Sequence, residues 1–287
     1  MESSLASQLF LPAALFLIML GLGLSLMVED FRRVIVQPRG ALLGLGVQLV
    51  LLPVVGFVIA RTFPMSPELA MGIMVLAACP GGATSNLITW LARGDAALSV
   101  TLTAVSSVIS VVTIPLILGL SMSYFLDGGE IVRPPALQMI LQIVVITIVP
   151  VSIGMAVRAR APGLAERAGG PMKVISAVLL AVIILALVLR QRDEIVGFFV
   201  QSGPAALTLN LVMMSVGFGL AALARLPVRQ RISVSIEGGL QNGTLGIAIA
   251  AGILGSEVMA IPPAIYSLIM FATGAGAIVV FSRLESR

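Results

Sequence analysis

Nine runs of about 20 apolar residues follow one another along the chain, at about 8–28, 40–60, 68–92, 96–120, 135–157, 171–189, 204–224, 230–254 and 262–282. A helix of that length matches the thickness of bilayer hydrocarbon, and in lipid a helix satisfies its own backbone polar groups. The chain is therefore predicted to be an all-α polytopic membrane protein with nine transmembrane helices. Of its 287 residues, 59% are apolar and 10% are charged, against about 25% charged in soluble domains. No stretch between the runs is long enough for a soluble domain. Met1-Glu2-Ser3-Ser4 has no basic n-region and the first run has the length of a span, so no secretory signal is expected.

An odd number of spans puts the termini on opposite sides. With the first loop inside, the inside segments hold Arg32, Arg33, Arg39, Arg93, Arg158, Arg160, Arg167, Lys173, Arg225, Arg229, Arg231, Arg283 and Arg287. The outside segments hold Arg61, Arg133, Arg190 and Arg192, so the 17 basic residues divide 13 to 4. The positive-inside rule then predicts the N-terminus outside and the C-terminus in the cytoplasm of a multi-pass inner (plasma) membrane protein. The formal charge of +4 belongs to these flanks, and nucleic-acid binding is not implied. With no histidine and one cysteine, Cys79, His-based metal sites and Ser-His or Cys-His catalysis are excluded. No enzymatic activity is expected. Cys79 reads as a small packing residue.

Two spans carry helix breakers at mid-depth. The third contains Cys79-Pro80-Gly81-Gly82, and the eighth contains Glu237-Gly238-Gly239-Leu240-Gln241-Asn242-Gly243. Proline removes a backbone donor, and paired glycines let the chain leave helical geometry. Each span is predicted to be discontinuous, which is tolerated only where protein or a water-filled cavity satisfies the backbone. The two lie five spans apart and so run in opposite directions. That spacing fits an inverted five-helix repeat from which the first helix is missing. Interrupted spans at matching places in two halves point to a transporter's binding site.

Glu237 is the one acidic residue deep inside a span. A carboxylate in hydrocarbon costs several kcal/mol unless it is paired, hydrated or neutralised, and the charge partition leaves no Lys or Arg at its depth. The polar residues at similar depth are neutral oxygen donors: Gln48, Thr84, Ser85, Asn86, Ser99, Thr103, Ser106, Ser107, Gln241, Asn242 and Thr244. Ser99, Thr103, Ser106 and Ser110 follow a 4-3-4 spacing and fall on one helix face. Hydroxyls, carboxamides and freed carbonyls suit a hard cation. A single carboxylate is too little charge for a dedicated Ca²⁺ or Mg²⁺ site. It suits Na⁺ or a proton.

The chain resembles the bile acid:sodium symporter family. The resemblance rests on ACPGGATSNLITWLARGDAALSVTLTAVSSVIS at 78–110, IEGGLQNGTLGIAIA at 236–250, and Gln48 in the span before them. Members have ten spans or nine, and this chain is similar to the nine-span form. The resemblance implies a panel domain, about 8–30 and 135–190, beside a core domain, about 40–120 and 204–282. The two discontinuous helices would cross in the core. It also implies two Na⁺ sites. Carried onto matching positions, the first uses Ser85, Asn86, Ser99, Thr103 and Glu237. The second uses Gln48, Glu237, Gln241 and the carbonyls of Gly238 and Leu240.

The family's substrates are organic anions, from bile acids to small carboxylates such as pantoate or pyruvate. The resemblance therefore implies Na⁺-coupled symport of such an anion by alternating access. Half-helix N-termini carry partial positive charge, so Ala83, Thr84, Asn242 and Gly243 are the candidate anion site. Ala83 and apolar Met270-Phe271 stand where some bacterial members place polar side chains. The alternative is a proton-coupled anion carrier or a cation/proton antiporter with Glu237 as the titrating group. The lipid bilayer and the anion are the partners implied, and no obligatory protein partner is evident.

Overall fold

A computed structural model describes residues 5–126 and 135–285. Arg133 and Arg287 of the charge partition, and the Met1–Ser4 segment, lie outside the described residues. The described chain is helical, with one isolated bridge as its β structure. We number the helices α1 (Leu5–Gly23), α2 (Val28–Val36), α3 (Pro38–Thr62), α4 (Pro67–Ala78), α5 (Ala83–Leu91) and α6 (Ala96–Phe125). They continue as α7 (Ala136–Arg160), α8 (Pro162–Arg190), α9 (Ile195–Leu223), α10 (Val228–Gly239), α11 (Gly243–Ile253) and α12 (Glu257–Glu285).

Six of these, α3, α6, α7, α8, α9 and α12, are each long and apolar enough to cross a membrane. The expected first span, 8–28, corresponds to α1; the expected first loop is largely helical as α2, turned 59° from α1, and the two count as a seventh span if taken together. Asp30 folds back to accept from the Met27 amide at 2.8 Å and pairs with Arg33 at 3.2 Å, which fixes the start of α2. The third and eighth expected spans are helix pairs, α4 with α5 and α10 with α11. Outward positions on the long helices stay apolar. Leu42, Val50, Val54 and Val58 of α3 are all exposed, a face suited to lipid chains rather than water.

The breaks follow from local chemistry. The residue before a proline is pushed out of the α region, and Cys79 before Pro80 is extended at φ −72°, ψ 148°. Leu240, after the glycine pair, is extended at φ −115°, ψ 110°. Asn242 then restarts helical structure by accepting from the Leu245 amide at 3.0 Å. Asp95 opens α6 in the same way, accepting from the Leu98 amide at 3.1 Å. α3 and α7 each carry a π turn, Val47–Leu51 and Val144–Ile148, ending two residues before Pro53 and Pro150. Widened turns of this kind re-aim side chains, and the first of them carries Gln48.

The packing gathers around two sets of helices, which are joined where α7 packs on α6. Helices α1, α7 and α8 pack on one another. The broken pairs pack with α3, α6, α9 and α12, with α9 against α10 and α4 against α12. Within this second group the interfaces are close enough to require small residues. A Cβ on Gly72 would lie 2.5 Å from Met259 O and 2.7 Å from the Pro262 ring.

Candidate functional site

The two breaks meet. Gly81 and Gln241 form an antiparallel bridge, and the Asn242 amide donates to Pro80 O at 2.9 Å. The extended segments thus satisfy part of each other's backbone at a depth where water is scarce. Gly81 also admits the carboxylate. A Cβ at this position would overlap Glu237 Oε1, so the side chain of α10 lies directly against the break of the other span.

Glu237 is 1% exposed. Ser99 Oγ donates toward Oε2 at 2.9 Å and Thr103 Oγ1 toward Oε1 at 2.5 Å. The same two hydroxyls lie 2.8 Å and 3.1 Å from Asn86 Oδ1. Ser85 also faces the carboxylate and donates to Gly82 O at 2.6 Å. Each hydroxyl carries one proton. The Ser99 and Thr103 protons therefore face more oxygens than they can serve. The ion pairs Arg33–Asp30, Arg190–Glu257 and Arg192–Asp193 lie elsewhere.

A second polar cluster adjoins the first. Gln48 Nε2 donates to Gln241 Oε1 at 2.6 Å and to Cys79 O at 3.0 Å. Gln241 Nε2 donates to Gly238 O at 2.8 Å and lies 3.5 Å from Glu237 O. Gln48 Oε1 is buried without a partner. A cation fits both places on chemical grounds: excess oxygens around one carboxylate in the first, an orphaned amide oxygen beside helix-terminal carbonyls in the second.

The sequence-predicted residues Ser85, Asn86, Ser99, Thr103, Glu237, Gln48, Gly238 and Gln241 are thus gathered around the crossing, and Leu240 lies in the break itself. The rest of the α6 stripe is not part of the cluster. Ser106 and Ser110 donate to Thr103 O and Ser107 O, one turn back on their own helix. Met213, Met214 and Met270 are buried.

A cavity of about 400 Å³ reaches the crossing from one end of the bundle. Gly82, Ala83, Thr84, Asn242, Gly243 and Met270 lie on its inner wall. Helices α1, α7 and α8 form the facing wall, with Leu22, Arg158, Glu166 and Lys173. The backbone amides expected to meet an anion at Asn242 and Gly243 are engaged within the crossing, with Pro80 O and Gln241 O. Those two residues present their remaining atoms to the cavity.

Sequence reasoning missed three features. Asn210 and Tyr266 both bond Gly239 O. Asn210 had a signal, being the lone carboxamide of its span. Arg190 of α8 pairs with Glu257 of α12 at the end of the bundle opposite the cavity mouth. Arg158 and Lys173 read from the sequence only as inside flanking charges, and in the structure they line the cavity together with Glu166.

Interrupted helices that cross in a bundle of apolar spans, with one carboxylate among neutral oxygens, are the arrangement of a secondary membrane transporter. The sequence pattern of the sodium bile acid symporter family matches residues 12–198. The chain belongs to this family of sodium-dependent transporters. It is 31% identical over 287 residues to the probable sodium/metabolite cotransporter BASS2, chloroplastic, of Oryza sativa subsp. japonica, an alignment covering 99% of this chain and 66% of that protein. It is 28% identical over 263 residues to the uncharacterized sodium-dependent transporter YocS of Bacillus subtilis (strain 168), covering 90% of this chain and 78% of that one. Against the human sodium/bile acid cotransporter 4 it is 30% identical over 247 residues, covering 84% of this chain and 55% of that one.

Proposed function

We propose that this protein is a secondary active symporter that moves an organic anion into the cell together with Na⁺. The observation that carries this reading is the buried Glu237, held by Ser99 and Thr103 hydroxyls that also face Asn86 Oδ1. Two Na⁺ sites fit the two polar clusters. The first takes Ser85, Asn86, Ser99, Thr103 and Glu237. The second takes Gln48, Glu237, Gln241 and the carbonyls of Gly238 and Leu240. Two Na⁺ with one monovalent anion carry one net positive charge, which at 100 mV adds about 2.3 kcal/mol to the drive.

The anion site is the cavity beside the crossing. Its donors are the first-turn amides of α5 at Ala83 and Thr84, the Thr84 hydroxyl and the carboxamide NH₂ of Asn242. Apolar Leu22, Met270 and Phe271 line the same space and suit a carboxylate with an apolar body. Helices α1, α7 and α8 correspond to a panel, and the remaining helices to a core that moves against it. Nine crossings follow if each broken or bent pair spans once, in a plasma membrane with the N-terminus outside. The cavity then opens to the cytoplasm, and Arg190–Glu257 lies toward the outer side, where the pair borders a second cavity.

Uptake into proteoliposomes of a panel of carboxylates, including a bile acid, pantoate and pyruvate, tests the proposal. Replacing external Na⁺ by K⁺ or choline is expected to lower uptake of the accepted anion to the passive leak. Undiminished uptake would overturn the sodium coupling. Uptake that follows pH and ignores Na⁺ would transfer Glu237 to proton coupling.

A further inference from the structure

One carbonyl at the end of α10 is held by side chains from two other helices. Asn210 Nδ2 of α9 donates to Gly239 O at 2.6 Å, and Tyr266 Oη of α12 donates to the same oxygen at 2.5 Å. Asn210 Nδ2 also lies 3.4 Å from Tyr266 Oη. Both residues are fully buried, at 0% exposure. The backbone is packed tightly here as well: a Cβ on Gly239 would overlap Met214 Cγ and sit 3.3 Å from Asn210 O.

A helix end leaves its last carbonyls without intrahelical donors. At the end of α10 each of these carbonyls is handled differently. Ile236 O accepts from the Leu240 amide at 2.8 Å. Glu237 O and Gly238 O face only the carboxamide of Gln241, at 3.5 Å and 2.8 Å. A cation can displace that neutral donor. Gly239 O is instead clamped by two donors from outside the helix. Fixing this oxygen fixes the peptide plane between Gly239 and Leu240, and so limits where the Gly238 and Leu240 carbonyls can lie.

Asn210 also carries a burden that packing alone would avoid. Its Oδ1 is buried with no partner. A leucine of similar volume would fill the space without burying an unsatisfied oxygen. What the asparagine supplies is its pair of N–H donors, and these go to Gly239 O and Tyr266 Oη.

We propose that Asn210 and Tyr266 are positioning residues for sodium. By clamping Gly239 O they hold the neighbouring carbonyls at the spacing that selects Na⁺ beside Gln48 and Gln241. They act through the α10 terminus and do not touch the ion. The inference rests on the sodium reading of the second polar cluster.

The test measures the thermal midpoint of the purified full chain against Na⁺ and Li⁺ concentration, for the wild type, Tyr266→Phe and Asn210→Leu. Tyr266→Phe removes one oxygen and keeps the ring, so it retains the packing and decides the question even if Asn210→Leu does not fold. Each folded variant is expected to need about tenfold more Na⁺ for half of the Na⁺-induced shift, as is typical when a ligand's supporting hydrogen bond is lost. The preference for Na⁺ over Li⁺ is expected to narrow with it. A folded variant with a lowered ion-free midpoint but unchanged half-saturating Na⁺ and unchanged ion preference would overturn the inference and leave a structural clamp only. A wild type that shows no Na⁺-induced shift would sink the sodium reading itself, and this inference with it.

Discussion

Glu237→Gln is expected to abolish Na⁺-driven uptake and to erase the rise in thermal midpoint that Na⁺ produces. The substitution keeps the size of the side chain and its acceptor oxygen, so the contact with Thr103 or Ser99 survives in part. What it removes is the single negative charge among the neutral oxygens of Ser85, Asn86, Ser99 and Thr103. Among the described residues the other buried acid, Asp30, sits at the start of α2 paired with Arg33, so no second buried carboxylate supplies that charge. The half-saturating Na⁺ concentration should rise at least about 100-fold, a loss of roughly 2.7 kcal/mol. The effect on the ion-free protein has the opposite sign. A buried, unneutralised carboxylate is costly, so the variant without Na⁺ should melt no lower than the wild type without Na⁺. Thermal shift assays with and without Na⁺ separate the two effects. A variant that melts far lower in both conditions would make Glu237 a structural residue.

Tethering α8 to α12 is expected to stop transport reversibly. Arg190 and Glu257 pair at 2.5 Å, at the end of the bundle opposite the cavity that reaches the crossing. If the core moves against α1, α7 and α8, this pair must part once per cycle. The pair is partly exposed, at 49% and 38% for the two side chains, so breaking it by charge removal alone should change stability little. A covalent tether is the informative change. Both side chains are long, and a direct disulfide needs closer Cα atoms than such a pair guarantees. A short bis-methanethiosulfonate across Arg190→Cys and Glu257→Cys is the suitable reagent. Cys79 is the one native cysteine and it is buried, so background labelling is low. Cross-linked protein should lose uptake and recover it on reduction. Full uptake in the cross-linked state would show that these helices do not separate.

Much of this arrangement was legible in the sequence, for definable reasons. Proline and paired glycines in an apolar run change backbone energetics wherever they occur, so the breaks at Cys79–Gly82 and beyond Gly239 could be placed without knowing any neighbour. Glu237 stood out because charge in hydrocarbon is expensive regardless of the fold. Which oxygens surround it was a different matter. Gln48 and Gln241 are separated by 193 residues, and no local rule brings them together; only the family resemblance did. The α6 stripe shows the limit of periodicity. Ser99, Thr103, Ser106 and Ser110 share a face, yet the last two bond their own helix, because a hydroxyl in an apolar setting takes the nearest free carbonyl lone pair.

The remaining features depended on tertiary contact. The 59° turn between α1 and α2 falls at the end of the first apolar run, and the charged segment after it, which reads as a loop, is helical. The π turn that aims Gln48 arises where Pro53 cannot donate to the helix. Asn210 and Tyr266 looked like isolated polar residues on apolar spans, and their common target, Gly239 O, is a backbone atom that leaves no trace in the sequence. The role of Arg190 and Glu257 needed the ends of α8 and α12 to be placed side by side.

Equilibrium binding of radioactive sodium to the purified chain tests the central claim most directly. The wild type is expected to bind Na⁺ saturably, with K⁺ failing to compete and with Glu237→Gln failing to bind. No saturable binding by the wild type, or the same binding by the folded Glu237→Gln variant, would contradict a sodium site at the crossing of the broken helices.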